Sequence, residues 1–222
     1  MAIQIQGTLG SIIEVDGPNT RCLRVVARPT DYGWMGQYCV SLQSGTMAAG
    51  LAAASEVFQL RWIATPSLAV VWGVSIDGMA GGTASFSAGP GFFALSVARS
   101  WTVDGSGGTQ AILTGNNQTM RSSMAPSLMG AVRISSTGAL SAGTKTYDAQ
   151  GLGGSYFAVS ATASTNYINQ VGLYGSMSLE EGGNCSPIIL SQNEGVGIAA
   201  TVPGSATWRF GVTVLWSEVD AY

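Results

Sequence analysis

The feature that most constrains the fold is a strict alternation of apolar and polar residues in short runs. In the clearest run, at positions 208–216, Trp, Phe, Val, Val and Trp occupy every second position. Alternate side chains of a β-strand point to opposite faces, so this pattern predicts a strand with one buried face. Similar runs start at Glu56, Val70, Phe93 and Ile188, and the last passes through Asn193-Glu194-Gly195 into Ile198, Ala200 and Val202.

Glycine-rich segments between these runs have the composition of tight turns, because glycine adopts positive φ angles and Asp or Asn before it favours hairpin geometry. Together they predict an all-β fold, an antiparallel β-sandwich that is jelly-roll-like. Residues 46–55 have helical composition, interrupted by Gly50, and predict at most one short helix or an irregular connection. The predicted turns are Asp16-Gly17-Pro18-Asn19, Asp77-Gly78, Gly89-Pro90-Gly91, Asp104–Gly108 and Pro203-Gly204.

The chain of 222 residues contains no repeat of fixed period and no charged or proline-rich linker. All-β domains of this size commonly form one unit. We therefore expect a single β-sandwich domain over residues 1–222. The stretch at about 138–178 is rich in Ser, Thr, Gly and Ala and is softer, so we expect weakly patterned strands and long loops there.

The composition argues against common enzymatic chemistry. The chain has no histidine, the usual proton shuttle and commonest metal ligand. Cys22, Cys39 and Cys185 are widely spaced and form no C-x-x-C pair, so we interpret them as small buried residues. We predict no catalytic residues, no metal site and no cofactor, and we do not expect an enzyme.

The carboxylates and the single lysine leave a hydrolase open as an alternative. A glycosidase needs only two carboxylates at a set separation. Lys145 is the single lysine and lies in a Gly/Thr-rich stretch, so we interpret it as a solvated loop lysine. We rank a hydrolase last among the functions considered. The candidate acids are Glu14 with Asp16, Glu180 with Glu181, and the isolated Glu56, Glu194 and Glu218.

The charge balance bears on partners. The net charge is −3, and nucleic-acid binding needs clustered basic residues, so we expect no nucleic-acid partner. Arg24 and Arg28 would share a strand face, where ion pairs or interface hydrogen bonds are the usual role. No apolar segment reaches the length of a membrane helix, and the first residues do not resemble a secretory signal. We expect no membrane partner and folding in a cytoplasm.

The scarcity of charge points to association. A monomer of this size exposes about 9,500 Å², or roughly one charged side chain per 450 Å². Apolar, weakly charged surfaces are typical of interfaces. We expect a homo-oligomer, with a trimer as one option, and we place Glu218 at a subunit contact because it continues the apolar face of the last strand.

The aromatic residues divide into two groups. Trp62, Trp72, Trp208 and Trp216 are in phase with apolar residues, which predicts core packing. Tyr32 and Trp34 lie in the turn-like segment Thr30-Asp31-Tyr32-Gly33-Trp34 and are the candidates for exposed recognition residues.

The chain also resembles bacteriophage- and prophage-encoded β-rich virion proteins. The resemblance rests on MAIQIQGTLGSIIEVDG, SGTMAAGLAAASEVFQLRW, LTGNNQTMRSSM, SPIILSQNEGVGIAATVP and WRFGVTVLWSEV. It implies a virion structural protein that is assembled in the host cytoplasm. The leading expectation is a capsid decoration (cement) protein that binds the major capsid protein and sister subunits. The alternative is a tail-fibre, spike or head-fibre module that binds a receptor or carbohydrate. The resemblance supplies no functional residues.

Overall fold

The computed structural model describes residues 36–81, 89–115, 117–119, 124–159, 165–175, 187–202, 204–205 and 207–220. In these residues the chain forms twelve strands and no helix, so the predicted all-β fold is confirmed. The strands are β1 Gly36–Gln43, β2 Ser55–Trp62, β3 Leu68–Gly81, β4 Gly89–Val103, β5 Thr109–Gln110, β6 Met129–Ile134, β7 Thr144–Tyr147, β8 Gly153–Val159, β9 Thr165–Gly175, β10 Ile188–Leu190, β11 Glu194–Thr201 and β12 Trp208–Val219.

The strands form two antiparallel sheets. The smaller sheet has the order β1-β12-β3-β10, and β9 also pairs with β3. The larger sheet has the order β5-β6-β2-β11-β4-β7, and β8 also pairs with β4. The chain crosses between the sheets at each step from β1 to β4, and again from β8 to β9, from β10 to β11 and from β11 to β12. The first and last described strands, β1 and β12, lie side by side.

The core lies between the facing surfaces of the two sheets. Strand β12 supplies Trp208, Phe210, Val212, Val214 and Trp216, and the alternation predicted for positions 208–216 is confirmed. Trp208, Phe210 and Phe93 meet in one aromatic group, with ring centroids 5.2–6.1 Å apart. Tyr38 stacks on Trp216 at 5.5 Å. Offset and tilted aromatic pairs of this kind stabilise a core beyond their buried area.

One bulge changes the predicted face of a tryptophan. The pairing of β3 with β12 shifts register between Leu215 and Trp216, so the alternation in β3 changes phase near Trp72. Val71 and Val74 therefore enter the core, whereas Trp72 is half-buried and donates its indole N–H to Ser217 Oγ at 2.8 Å. The prediction that Trp72 belongs to the core was wrong; the extra residue of a bulge reverses which face follows it.

Two predicted turns are strand segments. Asp77 and Gly78 lie within β3, where β12 pairs on one side and β9 on the other. Both residues pair with β12 and Gly78 also pairs with β9, which outweighs their turn propensity. Pro90 pairs with Ala158 of β8, before β4 begins its pairing with β11 at Phe92. A proline is tolerated there because it is near the start of the strand.

The other connecting segments that the structure describes agree with the sequence predictions. Residues 46–54 are irregular, and Gly50 and Ala54 have φ angles of 70° and 55°, which end any helical path. Residues 104–108 form the loop between β4 and β5, as predicted. Asn193 connects β10 to β11, which lie in different sheets. The predicted turn at positions 16–19 lies outside the described residues.

The soft stretch at 138–178 includes β7, β8 and β9. The described residues belong to one compact unit that spans positions 32–222. The prediction of a single domain over 1–222 also covers the first 35 residues, which lie outside the described part, and it stays a prediction.

Strand β11 has glycines on the outer face of the larger sheet. Its core-facing residues include Val196 and Ile198, and Gly195 and Gly197 alternate with them on the opposite face. A Cβ on Gly195 would lie 2.7 Å from the Trp101 ring and would also meet the Leu60 carbonyl oxygen. Because Gly195 and Gly197 have no side chains, a second layer of side chains packs directly on the backbone of β11.

We predict that Gly195→Ala lowers the free energy of unfolding by about 1–3 kcal/mol, because the added methyl group overpacks against a backbone oxygen and a buried ring. The matched control is Gly138→Ala, where a Cβ meets no atom within 4 Å. Urea unfolding followed by tryptophan fluorescence measures both variants. Equal stability of the two variants would contradict the close packing on β11.

Candidate functional site

Four side chains form a buried group on the outer face of the larger sheet, which we call the outer cluster: Glu56 of β2, Trp101 of β4, and Lys145 and Tyr147 of β7. Lys145 Nζ donates to Glu56 Oε1 at 2.5 Å, and the Tyr147 hydroxyl donates to the same oxygen at 2.5 Å. The ammonium group lies 4.0 Å from the centre of the Trp101 ring. The carboxylate oxygen therefore links β2 to β7, and the ammonium group adds the Trp101 ring of β4.

Glycines of β11 make the cluster possible. A Cβ on Gly197 would collide with the Tyr147 hydroxyl, just as one on Gly195 would collide with the Trp101 ring. Both aromatic side chains thus rest on the backbone of a central strand. The period-two order Lys145-Thr146-Tyr147 then directs both polar side chains of β7 to the same face.

The interpretation of Lys145 as a solvated loop lysine was wrong. Its side chain is 1% exposed and lies in a strand. The Ala142 carbonyl accepts a further hydrogen bond from Nζ at 2.6 Å, so a carboxylate, a carbonyl and an aromatic ring surround the ammonium group. This is a stabilising arrangement for a buried cation and leaves Lys145 poorly placed as a nucleophile.

Burial sets the electrostatics of the cluster. It lowers the pKa of Lys145, against the opposing effect of the Glu56 carboxylate. It also raises the pKa of Tyr147, and the negative charge of Glu56 adds to that effect. The phenol therefore stays a hydrogen-bond donor to Glu56 throughout the ordinary pH range.

A cleft of about 540 Å³ opens beside the outer cluster. Residues 53–55 lie on one side and Leu140 on another, with Glu56 and Tyr147 also in its lining. The sheet contributes small residues to the lining: Ser96 of β4 and Gly197 and Ala199 of β11.

Glu56 offers the cleft one uncommitted oxygen. Both of its hydrogen-bond donors contact Oε1, and among the described residues no donor contacts Oε2. Oε2 is also not one of the enclosed polar atoms that lack a partner. Glu56 lines the cleft, and a carboxylate oxygen without an internal donor can accept a hydrogen bond from a ligand.

The cleft contains one carboxylate among its described lining residues. A glycosidase uses a pair, so this cleft does not supply the arrangement that the carboxylate hypothesis needs. Of the other candidate acids, Glu14, Asp16, Glu180 and Glu181 lie outside the described residues.

Glu194 belongs to an exposed ion-pair group. Arg99 donates to Glu194 at 2.5 Å and to both oxygens of Asp148 at 2.9 and 3.0 Å. These hydrogen bonds raise the pKa of Arg99, with that to Asp148 as the main cause. The group joins β4 to the start of β11 and the end of β7, which is a structural role.

Glu218, which we expected at a subunit contact, instead has its whole surface covered by its own chain. Its Oε1 accepts hydrogen bonds from Ser127 Oγ at 2.6 Å and Trp216 Nε1 at 3.1 Å, and the Leu128 amide donates to both oxygens at 3.0–3.1 Å. The carboxylate therefore fixes the segment before β6 to the end of β12. Burial raises its pKa, although these hydrogen bonds oppose the shift.

The other sequence candidates lie outside the described residues. These are Tyr32, Trp34, Arg24 and Arg28, together with Cys22 and Cys185. Cys39 is a half-buried free thiol in β1, and burial raises its pKa. Tyr147 and Trp101 were not among the predicted site residues, and Lys145 was wrongly interpreted as solvated. The Thr-Lys-Thr-Tyr alternation of β7 was the signal that could have found Lys145 and Tyr147.

No known protein family, curated protein or solved structure matches this chain. Within the described ranges, no three His, Cys, Asp or Glu side chains are grouped as a metal ion would require. The described part also contains no helix that is long and apolar enough to cross a bilayer.

We predict that Lys145→Met lowers the free energy of unfolding by about 3 kcal/mol, because it leaves the buried Glu56 carboxylate without its cation. Adding Glu56→Gln to Lys145→Met should recover part of the loss. The control is Arg99→Gln, at a side chain 52% exposed, which should cost about 1 kcal/mol or less. Urea unfolding measures all three, and equal losses for Lys145→Met and Arg99→Gln would contradict the buried pair.

Glu218 generates a prediction with a defined pH sign. Its folded-state pKa exceeds the ordinary value of 4.5, so the folded protein binds more protons between the two values. The stability from this shift is fully present below the unfolded pKa and is lost as pH rises through the folded pKa. The wild-type free energy of unfolding minus that of Glu218→Gln should therefore fall as the pH rises above the ordinary pKa of 4.5. Urea titrations at several pH values measure this difference, and a rise would contradict the assignment.

Proposed function

We propose that this chain is a structural subunit of a phage virion, a capsid decoration protein that binds capsomers and sister copies through weakly charged faces. The proposal rests mainly on how the described charges are distributed. Seven charged side chains, three cations and four carboxylates, form ion pairs within the chain, and an eighth, Glu218, is fully buried. The seven are Glu56, Arg61, Arg99, Asp104, Lys145, Asp148 and Glu194.

Most charged side chains of the described part therefore have an opposite charge beside them. Two subunits that approach each other through such a surface lose little hydration free energy of charged groups. The same surface gives weak electrostatic repulsion between identical copies. These properties suit a protein that functions at high local density on a particle.

Exposed apolar side chains support association. Ile63 is 44% exposed and Leu128 39% exposed; Ile63 follows Trp62 and Leu128 precedes its pairing partner Met129, at one end of β2 and β6. We call these two side chains the apolar corner. Further exposed apolar side chains are Val103, Ile112, Leu152, Tyr156 and Ile189.

Two weaker lines of support concern the class of particle. Jelly rolls occur in viral capsid and lectin domains, although a fold does not by itself assign a function. The proposed phage origin rests on the sequence segments that resemble phage virion proteins. The capsid, rather than the tail, is the location we propose.

We expect the purified chain to sediment as a homo-oligomer at micromolar concentration and to bind capsids of its phage that were assembled without it. Ile63→Asp combined with Leu128→Asp should weaken self-association at least tenfold, since a tenfold loss needs about 1.4 kcal/mol. The control Gln150→Asp adds a charge at an exposed position away from the apolar corner. Sedimentation velocity and capsid pelleting measure both properties. A monomer that ignores capsids would overturn the proposal.

A further inference from the structure

We infer that the outer face of the larger sheet carries a binding site for a neutral oligosaccharide, running from the cleft at Glu56 to the exposed ring of Tyr156. This site is independent of the assembly proposed above. The inference starts from two features on one sheet face: a cleft with a free carboxylate oxygen at one end, and an aromatic platform at the other.

The aromatic platform consists of Phe92 of β4 and Tyr156 of β8. These residues are register partners, and their ring centroids lie 4.3 Å apart. Tyr156 is nevertheless 77% exposed, so Phe92 supports a ring whose surface is largely open to solvent. Gly154 leaves room for the Phe92 ring, because a Cβ at position 154 would lie 2.5 Å from that ring.

Phe92 and the cleft share one face of the sheet. Phe93 points into the core, so Phe92 and Ala94 point outward. Ala94 pairs with Ala199, which lines the cleft, and on its other side with Gly154. Small residues therefore form a continuous floor from the cleft to the aromatic platform.

The length of this floor suits a short saccharide. From Ala199 to Tyr156 the path crosses two strand spacings and advances two residues along a strand, which amounts to about 12 Å between Cα positions. A chain of two or three pyranose rings spans that distance. The wall at residues 53–55 is held in place, because the Ala54 amide donates to Thr201 Oγ1 at 3.0 Å.

The chemistry of the two ends fits the same ligand class. The axial C–H groups of a pyranose carry partial positive charge and pack on the negative face of an aromatic ring such as Tyr156. Glu56 Oε2 is free to accept from a sugar hydroxyl, as described above. The charge of Glu56 is balanced by Lys145, so the site suits a neutral sugar, whereas an acidic sugar would bring a carboxylate towards Glu56.

The test is isothermal titration calorimetry of the full chain with a panel of neutral trisaccharides built on glucose, galactose, mannose and N-acetylglucosamine. We expect at least one probe to bind with a Kd below about 1 mM. Tyr156→Ala should weaken that binding at least tenfold, and Tyr156→Phe should keep most of it. Ala199→Leu should weaken it by filling the floor of the cleft.

The control is Ile112→Ala, at an exposed apolar residue with 70% exposure, which should leave binding unchanged. Unfolding curves confirm that each variant is folded. The proposal is overturned if no neutral trisaccharide binds, or if binding survives both Tyr156→Ala and Ala199→Leu. It is also overturned if Tyr156→Ala abolishes self-association while sugar binding stays intact.

Discussion

The burial of two apolar sheet faces against each other is the constraint on which the rest of this structure depends. Strand β12 contributes five of the large side chains at that interface, and β1 and β3 pair along its two edges. Strand β11 has the corresponding position in the larger sheet, between β2 and β4. Both central strands pair with a neighbour along each edge and bury one face in the core. The residues between the core-facing ones must therefore point to the outer face of each sheet.

The outer face of β11 shows how this constraint produces a second, polar layer. A strand that needs Val196 and Ile198 in the core must direct the intervening residues outward. Glycine at those positions lets Trp101 and Tyr147 lie on the backbone, and the two rings then enclose Lys145. The ion pair with Glu56 is thus a consequence of the core alternation rather than an independent feature. The free Glu56 oxygen at the adjacent cleft follows from the same geometry.

The proposed functions use different parts of this architecture. Association depends on weakly charged surfaces, on which most of the described charges are paired within the chain, together with exposed apolar side chains such as Ile63. Saccharide binding depends on the floor of small residues and on the Tyr156 ring. The two proposals are compatible, because a decoration protein that covers a particle also presents an outward face to its surroundings. Their experiments distinguish them by separate substitutions.

The sequence alone determined the fold class, since the alternation at 58–62, 93–97 and 208–216 reports directly which side chains face a core. It did not reveal the bulge near Trp72, because a register shift depends on the partner strand. Asp77-Gly78 and Pro90 were misread as turns for the same reason: pairing with β9, β12 or β8 is a non-local interaction that turn propensity does not contain. Lys145 looked solvated because its neighbours are small and polar. Only the tertiary structure placed it beneath Trp101 and beside Glu56, where burial and a distant carboxylate decide its environment.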